Sequence, residues 1–242
     1  MACENWLMSS EILIAHCGLV PYEEGVRLQA ALEARRQADE IPDVLLLLEH
    51  PPVYTKGRRV TPAELPMGEE WYERQGIEVL DTDRGGHVTY HGPGQLVAYP
   101  IVSLAPYGND VHEYVRGLER VMIGALAKHG VEAGLIPGET GVWVGGLKIG
   151  AIGLHVSRGV TTHGFAVNVC NDLQPFEWVL ACQIEGGRVT SLTRELGVEQ
   201  VVAEFAETVV ASYGEAFGRT PRTVDLDDLG LSIPTATLRR AS

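Results

Sequence analysis

The chain has 242 residues, 45% of them hydrophobic, which is enough to bury the core of one domain and excludes a disordered chain. No apolar run reaches the length of a membrane-spanning segment, and the first residues lack the basic and apolar regions of a secretion signal. We therefore expect a cytoplasmic protein with no membrane attachment. With 19 Lys and Arg against 32 Asp and Glu, the formal charge of −13 argues against nucleic acid as a partner.

The first half of the chain predicts alternating strands and helices. Residues 11–16 alternate weakly and indicate a strand, and residues 22–39 follow Pro21 and indicate a helix. Five consecutive apolar residues, 44–48, stand between prolines and predict a strand that is buried on both faces. The further elements expected before residue 110 are a short helix over 69–75 and strands over 77–80, 88–91 and 95–102.

The second half is predicted to begin with a helix and to be rich in strands. Asp110, with Glu113 three residues later, indicates the start of a helix that runs to His129. The pair Gly145-Gly146 between two apolar runs indicates a hairpin. We also expect a strand over 162–169 and a helix over 199–217. The order predicts a single α/β domain, residues 1–218, with a mixed β-sheet flanked by helices, followed by a loose C-terminal tail over 219–242.

Residues 84–95 form the most unusual segment, with four Gly and one Pro among twelve residues. Such glycine density lets the backbone approach a ligand closely, and Arg84 would add a fixed cation there. Tyr90 and His91, at the end of the expected strand, could line a pocket. The alternative is a tight hairpin whose glycines serve only its turns.

Lys148 stands on a glycine-rich and otherwise apolar segment, and it is the only charged residue between Glu139 and Arg158. A cation in such surroundings favours a neighbouring thiolate or oxyanion. The alternative is that the side chain reaches solvent from an edge strand.

The four cysteines, at positions 3, 17, 170 and 182, have no metal-binding or redox spacing. Cys17 and Cys170 adjoin apolar strands and are expected to be core thiols, and Cys3 lies near the chain start. Cys182 stands in a short polar segment where a nucleophile could be accessible. His87 and His91 lack nearby carboxylate or Cys partners, so no metal site is predicted.

Four sequence blocks together resemble the octanoyltransferase family of lipoate biosynthesis, also called lipoyl(octanoyl) transferases. The longest block is an arginine-led glycine signature, RGGHVTYHGPGQLV, and all four keep the order of the family. The blocks are residues 48–57, residues 84–97 with Tyr99-Pro100, residues 148–153 and residues 163–168.

The resemblance implies transfer of an octanoyl group from octanoyl-acyl carrier protein to a lysine of lipoyl domains, through a thioester on Cys182. The acceptors would be lipoyl domains of 2-oxoacid dehydrogenase complexes and the glycine cleavage H protein, and no cofactor would be needed. Lys148 would lower the pKa of the thiol. The implied fold is the catalytic fold of biotin and lipoate protein ligases. The residues implied to bind substrate are Arg84, Gly85, Gly86, His87, Val88, Thr89, Tyr90, His91, Ala151, Ile152, Gly153, Gly164, Phe165 and Ala166.

The chain departs from the family pattern at the nucleophile, where Ala181-Cys182-Gln183 replaces the usual Pro-Cys-Gly. The loss of both neighbours loosens the turn and adds a side chain near the expected acyl carbonyl. The altered context leaves open a non-catalytic relative that binds acyl carrier protein. A second alternative is an ATP-dependent lipoate or biotin protein ligase, because such ligases share the fold and the glycine-rich acyl site.

Acidic residues are missing from three stretches, 50–63, 84–109 and 140–171, which together hold six Lys and Arg. If these stretches share one face, a local positive patch could steer an acidic carrier despite the overall negative charge. The residues expected around the mouth of the site are Lys56, Arg58, Arg59, Arg84 and Arg158.

Overall fold

The structure, a computed structural model, describes residues 10–179 and 189–233. Its strands are β1 (Glu11–Leu19), β2 (Val44–Glu49), β3 (Val53–Lys56), β4 (Glu78–Asp81), β5 (Val88–His91), β6 (Gln95–Ile101), β7 (Val142–Val144), β8 (Leu147–Ser157), β9 (Val160–Asn168) and β10 (Thr220–Thr223). Its helices are α1 (Tyr22–Gln37), α2 (Glu69–Arg74), α3 (Val111–Lys128), α4 (Gln174–Glu177), α5 (Leu192–Leu196) and α6 (Val202–Phe217). Among these helices, none has the length and apolar character that crossing a membrane requires.

The strands form two sheets, one large and one small. The large sheet has seven strands in the order β10-β1-β2-β6-β9-β8-β7. Pairing is parallel from β10 to β2 and antiparallel from β2 to β7, so the predicted mixed α/β architecture is confirmed. The small sheet has the order β4-β3-β5, and its central strand β3 was not predicted, because Val53–Lys56 is short and follows two prolines.

Helices cover both faces of the large sheet. Because successive side chains of a strand point to opposite faces, Leu45 and Leu47 of β2 pack toward α3 and α6, whereas Leu46 and Leu48 pack toward α1. All four are at most 2% exposed. The apolar run therefore forms a strand that is buried on both faces, as predicted.

Two local signals produce the structures expected of them. The Asp110 carboxylate accepts hydrogen bonds from the backbone N–H groups of His112 and Glu113, at 2.8 and 3.1 Å, and so caps α3. Gly145 and Gly146 have φ angles of 56° and 83° between β7 and β8. Two successive positive φ angles cost glycine little, which is why this pair forms the predicted hairpin.

The prediction of a loose C-terminal tail is wrong for residues 219–233. Residues Thr220–Thr223 pair in parallel with β1, and Leu229 is only 3% exposed. The Arg219 guanidinium donates to the buried Asp43 carboxylate at 2.6 Å, which fixes the start of the strand. The segment looks polar because β10 is an edge strand, a position that tolerates Pro221. Residues 234–242 lie outside the described part of the chain.

Candidate active site

A cavity of about 350 Å³ lies between the small sheet and the large one. Its wall is formed by β5 and the loop before it, by β6, β8 and β9, and by the first residue of α1. Twelve of the fourteen residues implied to bind substrate line it, namely Arg84, Gly86, His87, Val88, Thr89, His91, Ala151, Ile152, Gly153, Gly164, Phe165 and Ala166.

The other two implied residues, Gly85 and Tyr90, do not line this cavity. The Gly85 N–H donates to the carbonyl of Leu154 at 2.9 Å, which ties the loop to β8. The Tyr90 ring packs between Tyr54 and Phe176, with ring centroids 5.5 and 5.4 Å away. Both residues therefore support the wall from behind.

Arg84 is a buried cation that shapes the loop before β5. It is 7% exposed, and its Nη2 donates to the carbonyl of Thr55 at 2.6 Å and to that of His87 at 2.7 Å. The planar guanidinium has several N–H donors and therefore suits these two converging carbonyls better than a lysine ammonium would. The predicted fixed cation is present at the cavity, and its visible contacts hold the loop to β3.

Glu64 also fixes this loop through hydrogen bonds, and its role was not predicted from the sequence. Its carboxylate accepts hydrogen bonds from the Val88 N–H at 3.0 Å and from the His87 ring at 2.9 Å. Burial by itself raises the pKa of Glu64, but these hydrogen bonds outweigh it and hold the pKa below its usual value. The capping pattern Thr61-Pro-Ala-Glu64 was the available signal, because it places the carboxylate at the start of a helical turn.

Lys148 lines the cavity from β8, which lies second from the edge of the large sheet. Its Nζ lies 4.7 Å from the centre of the Trp143 ring. Its carbonyl accepts a hydrogen bond from the Thr190 N–H at 3.0 Å, next to a bridge between Lys148 and Val189. Lys148 therefore faces the cavity from an inner strand, and not solvent from an edge strand. Cys182 and its altered neighbours lie outside the described residues.

His163 holds a strained conformation on the cavity wall. Its φ is 55°, a value that residues other than glycine adopt rarely. Its N–H donates to Gln29 Oε1 at 2.5 Å, and its Nε2 lies 2.7 Å from Asp83 Oδ1. Burial lowers the pKa of the ring below its usual value, although Asp83 opposes that shift. These contacts fix the ring at the cavity despite the cost of its backbone conformation.

Seven lining residues were not predicted to belong to the site. Three of them, Val97, Tyr99 and His163, stand in the blocks that carry the family resemblance, and this was the signal that could have found them. The other four come from the start of α1 and from the loop before β7, and they share no motif. The seven are Tyr22, Val97, Tyr99, Gly138, Glu139, Thr140 and His163.

The two described cysteines differ in environment. Cys17 is half-buried against the core, and burial raises its pKa to about 12, which agrees with the expected core thiol. The same expectation for Cys170 is wrong, because this residue follows the end of β9 and is exposed. Partial burial, with the carboxylates of Glu49 and Glu199, raises the pKa of Cys170. Neither thiol is activated as a nucleophile.

The expected positive patch around the cavity mouth does not form. Lys56 is paired with Glu69 and Asp81 at 2.7 and 3.2 Å, and Arg158 lies at the turn after β8, bonded to Gln37. Arg84 is buried. Of the five basic residues, only Arg59 is both exposed and on the lining. The acid-free stretches are therefore split between the cavity wall and distant turns.

Comparisons with known proteins agree on one family. Residues 21–214 match the model of the lipoyl protein ligase A/B catalytic domain. A protein named octanoyltransferase from Rubrobacter xylanophilus is 50% identical over 203 residues, which cover 83% of this chain and 91% of the relative. Another octanoyltransferase, from Chloroflexus aurantiacus, is 45% identical over 214 residues, covering 87% of this chain and 96% of the relative.

Solved structures share the fold at much lower identity. A bi-partite lipoate protein ligase from Thermoplasma acidophilum superposes with a TM-score of 0.69 at 18% identity, covering 97% of this chain and 91% of the other. A lipoate-protein ligase A bound with ATP gives a TM-score of 0.68 at 16% identity, covering 97% and 93%. The expected ligase-like catalytic fold is confirmed.

Proposed function

Because the chain belongs to the lipoyl protein ligase A/B catalytic domain family, we propose that it is an octanoyltransferase of lipoate biosynthesis. The acyl donor is octanoyl-acyl carrier protein. The acceptor is a lysine of lipoyl domains in 2-oxoacid dehydrogenase complexes and in the glycine cleavage H protein. The observation that carries the proposal is the cavity, whose wall contains residues from three separate signature blocks, Lys148 among them. Its volume of about 350 Å³ falls within the usual range for sites that bind small ligands.

The proposed reaction has two acyl exchanges, with Cys182 as the nucleophile. The Cys182 thiolate attacks the thioester carbonyl of the donor, the carbon–sulfur bond to the carrier breaks, and the carrier thiolate leaves and takes up a proton. The amine of the target lysine then attacks the enzyme thioester. An amide forms, Cys182 leaves as a thiolate, and the amine loses one proton. The acyl group is held as a thioester until the amide forms, so no cofactor enters the balance.

Lys148 is proposed to favour the thiolate of Cys182. A free thiol is only a few per cent ionised at neutral pH, and an ammonium nearby raises that fraction. The position of Lys148 on the cavity wall, with its carbonyl bonded to Thr190, supports this role. Backbone N–H groups of the glycine-rich wall are candidates to stabilise the oxyanion of each tetrahedral intermediate.

Intact-mass measurement tests the proposal directly. Purified protein mixed with octanoyl-acyl carrier protein should gain one octanoyl group, and Cys182→Ala should gain none. Cys170→Ala, a control at the exposed thiol, should be acylated like the natural protein. Lys148→Met should form the same adduct more slowly, by about tenfold or more at neutral pH, because less thiolate is present.

Other results of this experiment would contradict the mechanism. An adduct that survives in Cys182→Ala but disappears in Cys170→Ala would show that the nucleophile is Cys170 and not Cys182. Formation of an octanoyl adenylate from octanoate and ATP, without any enzyme thioester, would identify a ligase. Binding of the carrier without an adduct would identify a non-catalytic relative.

A further inference from the structure

A chain of buried hydrogen bonds leads from the cavity wall into the large sheet. The Nδ1 atom of His91 lies 2.7 Å from Oε1 of Gln95. Gln95 Nε2 lies 2.9 Å from Oδ1 of Asn168, and Asn168 Nδ2 donates to the carbonyl of Thr190 at 3.0 Å. The four residues are between 0 and 8% exposed. We call this set, His91, Gln95, Asn168 and Thr190, the amide relay.

The direction of every bond in the amide relay follows from its backbone carbonyls. The Thr190 carbonyl can only accept, so the nitrogen of the Asn168 amide faces it and the oxygen faces Gln95. Gln95 must therefore turn its own nitrogen toward Asn168, and that nitrogen also meets the Tyr90 carbonyl at 3.3 Å. Gln95 Oε1 is left facing His91, so the proton of the ring lies on Nδ1.

The other ring nitrogen of His91 is then an acceptor. Burial and the neighbouring His50 lower the pKa of the ring to about 3, so it is neutral at physiological pH. The other charged or titratable groups around the ring are Tyr22, Arg84 and His163. A neutral imidazole with Nδ1 protonated carries a lone pair on Nε2, and His91 lines the cavity.

His50, the nearest comparable ring, has the same tautomer but a different use. Its Nδ1 donates to the Val20 carbonyl at 2.5 Å, and its Nε2 accepts from the Tyr99 hydroxyl at 2.7 Å. Both ring nitrogens of His50 are therefore occupied within the protein. The His91 ring also contacts the rings of Tyr22 and His50, but among the described residues its hydrogen bond is to the amide relay, which occupies Nδ1.

We propose that Gln95 and Asn168 are positioning residues that hold His91 Nε2 as a hydrogen-bond acceptor for the amine of the acyl-accepting lysine. This rests on the proposed function. In that reaction the thiolate and the thioester carry no proton to donate, whereas the attacking amine carries N–H groups. A ring that is so weakly basic orients the amine and leaves its final deprotonation to another group. Accepting one N–H aims the nitrogen lone pair at the thioester carbon.

Nitrogen NMR of the histidine rings tests the relay without any substrate. Natural protein should show His91 as the Nδ1–H tautomer. Gln95→Leu removes the acceptor, so His91 should shift toward Nε2–H or a mixture, whereas Gln95→Glu keeps an acceptor oxygen and should restore Nδ1–H. His50 should stay Nδ1–H in all three proteins and is the internal control. An Nε2–H ring in the natural protein, or an unchanged His91 tautomer in Gln95→Leu, would overturn the relay.

The rates of the two half-reactions test whether His91 binds the amine of the acyl-accepting lysine. Gln95→Leu should slow transfer from the acyl-enzyme to a lipoyl domain by about tenfold or more, and should change acylation by the carrier by less than about twofold. Gln95→Glu should recover part of the lost rate. Gln37→Leu is a control, because Gln37 bonds Glu33 and Ser157 away from the cavity, and it should change neither step.

The possible failures are distinguishable. Equal slowing of both half-reactions, or slowing of acylation alone, would overturn the assignment of the amine to His91. If the natural protein forms no acyl-enzyme, the proposed function is wrong, and so is the proposed role of His91 in binding the amine. The tautomer measurement decides the amide relay in either case, since it needs no turnover.

Discussion

The centre of the large sheet and the wall of the cavity are both buried, but they are stabilised in different ways. In β2, Leu45, Leu46 and Leu47 pack within apolar clusters on the two faces of the sheet. On the cavity wall, His91 and Arg84 are at most 8% exposed, yet their polar atoms have specific partners. A core position needs the right volume, whereas a wall position needs a partner of the right polarity. Substitutions at the sheet centre should therefore act through packing, whereas substitutions on the cavity wall should act through hydrogen bonding.

Leu45→Ala gives the largest expected loss of stability. Leu45 is fully buried on the face covered by α3 and α6, away from the cavity. Its truncation leaves a void in a packed core and should lower the free energy of unfolding by about 3–4 kcal/mol. Urea titration measures this change. Leu135→Ala is the matched control, because Leu135 is 52% exposed, and it should cost less than about 0.5 kcal/mol.

The comparison also requires that Leu45→Ala leave the amide relay intact. The tautomer of His91 in the folded variant should remain Nδ1–H, because Leu45 pairs with Pro100, five residues after Gln95 on β6. A loss of less than about 1 kcal/mol would show that the sheet repacks, and that the centre is no better packed than a surface site.

Gly164→Ala tests the place where the two regions meet. Gly164 lines the cavity from β9, and a Cβ there would overlap the carbonyl oxygen of Ala98 on β6 and lie 2.5 Å from Pro100 Cδ. Relief of that overlap requires a shift of backbone, so the free energy of unfolding should fall by about 2–3 kcal/mol. Urea titration is again the measurement.

A glycine without such neighbours is the control for this substitution. A Cβ on Gly134 would have no neighbouring atom within 4 Å, so Gly134→Ala should change stability by less than about 0.5 kcal/mol. Equal effects of the two substitutions would show that β9 does not pack rigidly against β6 at the cavity.

The contrast between local packing and distant polar partners also explains which features could be predicted from the sequence. The strand β2, the helix α3 and the β7–β8 hairpin depend on residues within a few positions of each other, so local patterns predict them. The glycine signature indicated most of the cavity wall, because its short segment forms β5 and the loop before it.

The features that the sequence did not predict depend on distant partners. Arg219 is fixed by Asp43, 176 residues earlier, and this contact orders a segment that was expected to be loose. Asp83 and His163 meet across 80 residues. Cys170 looked buried because it follows an apolar strand, yet its side chain is exposed between the buried residues Val169 and Asn171. The surroundings of a polar residue are set by the tertiary structure, which local propensity does not contain.

Acid should weaken the protein through two buried rings, His91 on the cavity wall and His50 behind it, and this is the smallest of the three expected effects on stability. Burial lowers the pKa of His50 to about 4 and that of His91 to about 3, against about 6.5 in the unfolded chain. Below pH 6.5 the unfolded chain therefore binds protons that the folded protein does not. The stability that these rings contribute is fully present above pH 6.5 and is lost as the pH falls toward 4 and 3. Between pH 6.5 and 5.5 the loss should be about 2 kcal/mol.

Urea titrations at several pH values separate the two regions. His50→Gln should reduce the slope of stability against pH in this window by about 1 kcal/mol per pH unit, because one of the buried rings with a lowered pKa is gone. Leu45→Ala should lower stability by the same amount at every pH and leave the slope unchanged, since no proton is bound or released at that site. A natural protein whose stability is flat between pH 6.5 and 5.5 would mean that water reaches both rings and that they titrate freely. The polar groups of the wall would then not need specific protein partners, and that need is what distinguishes the wall from the core.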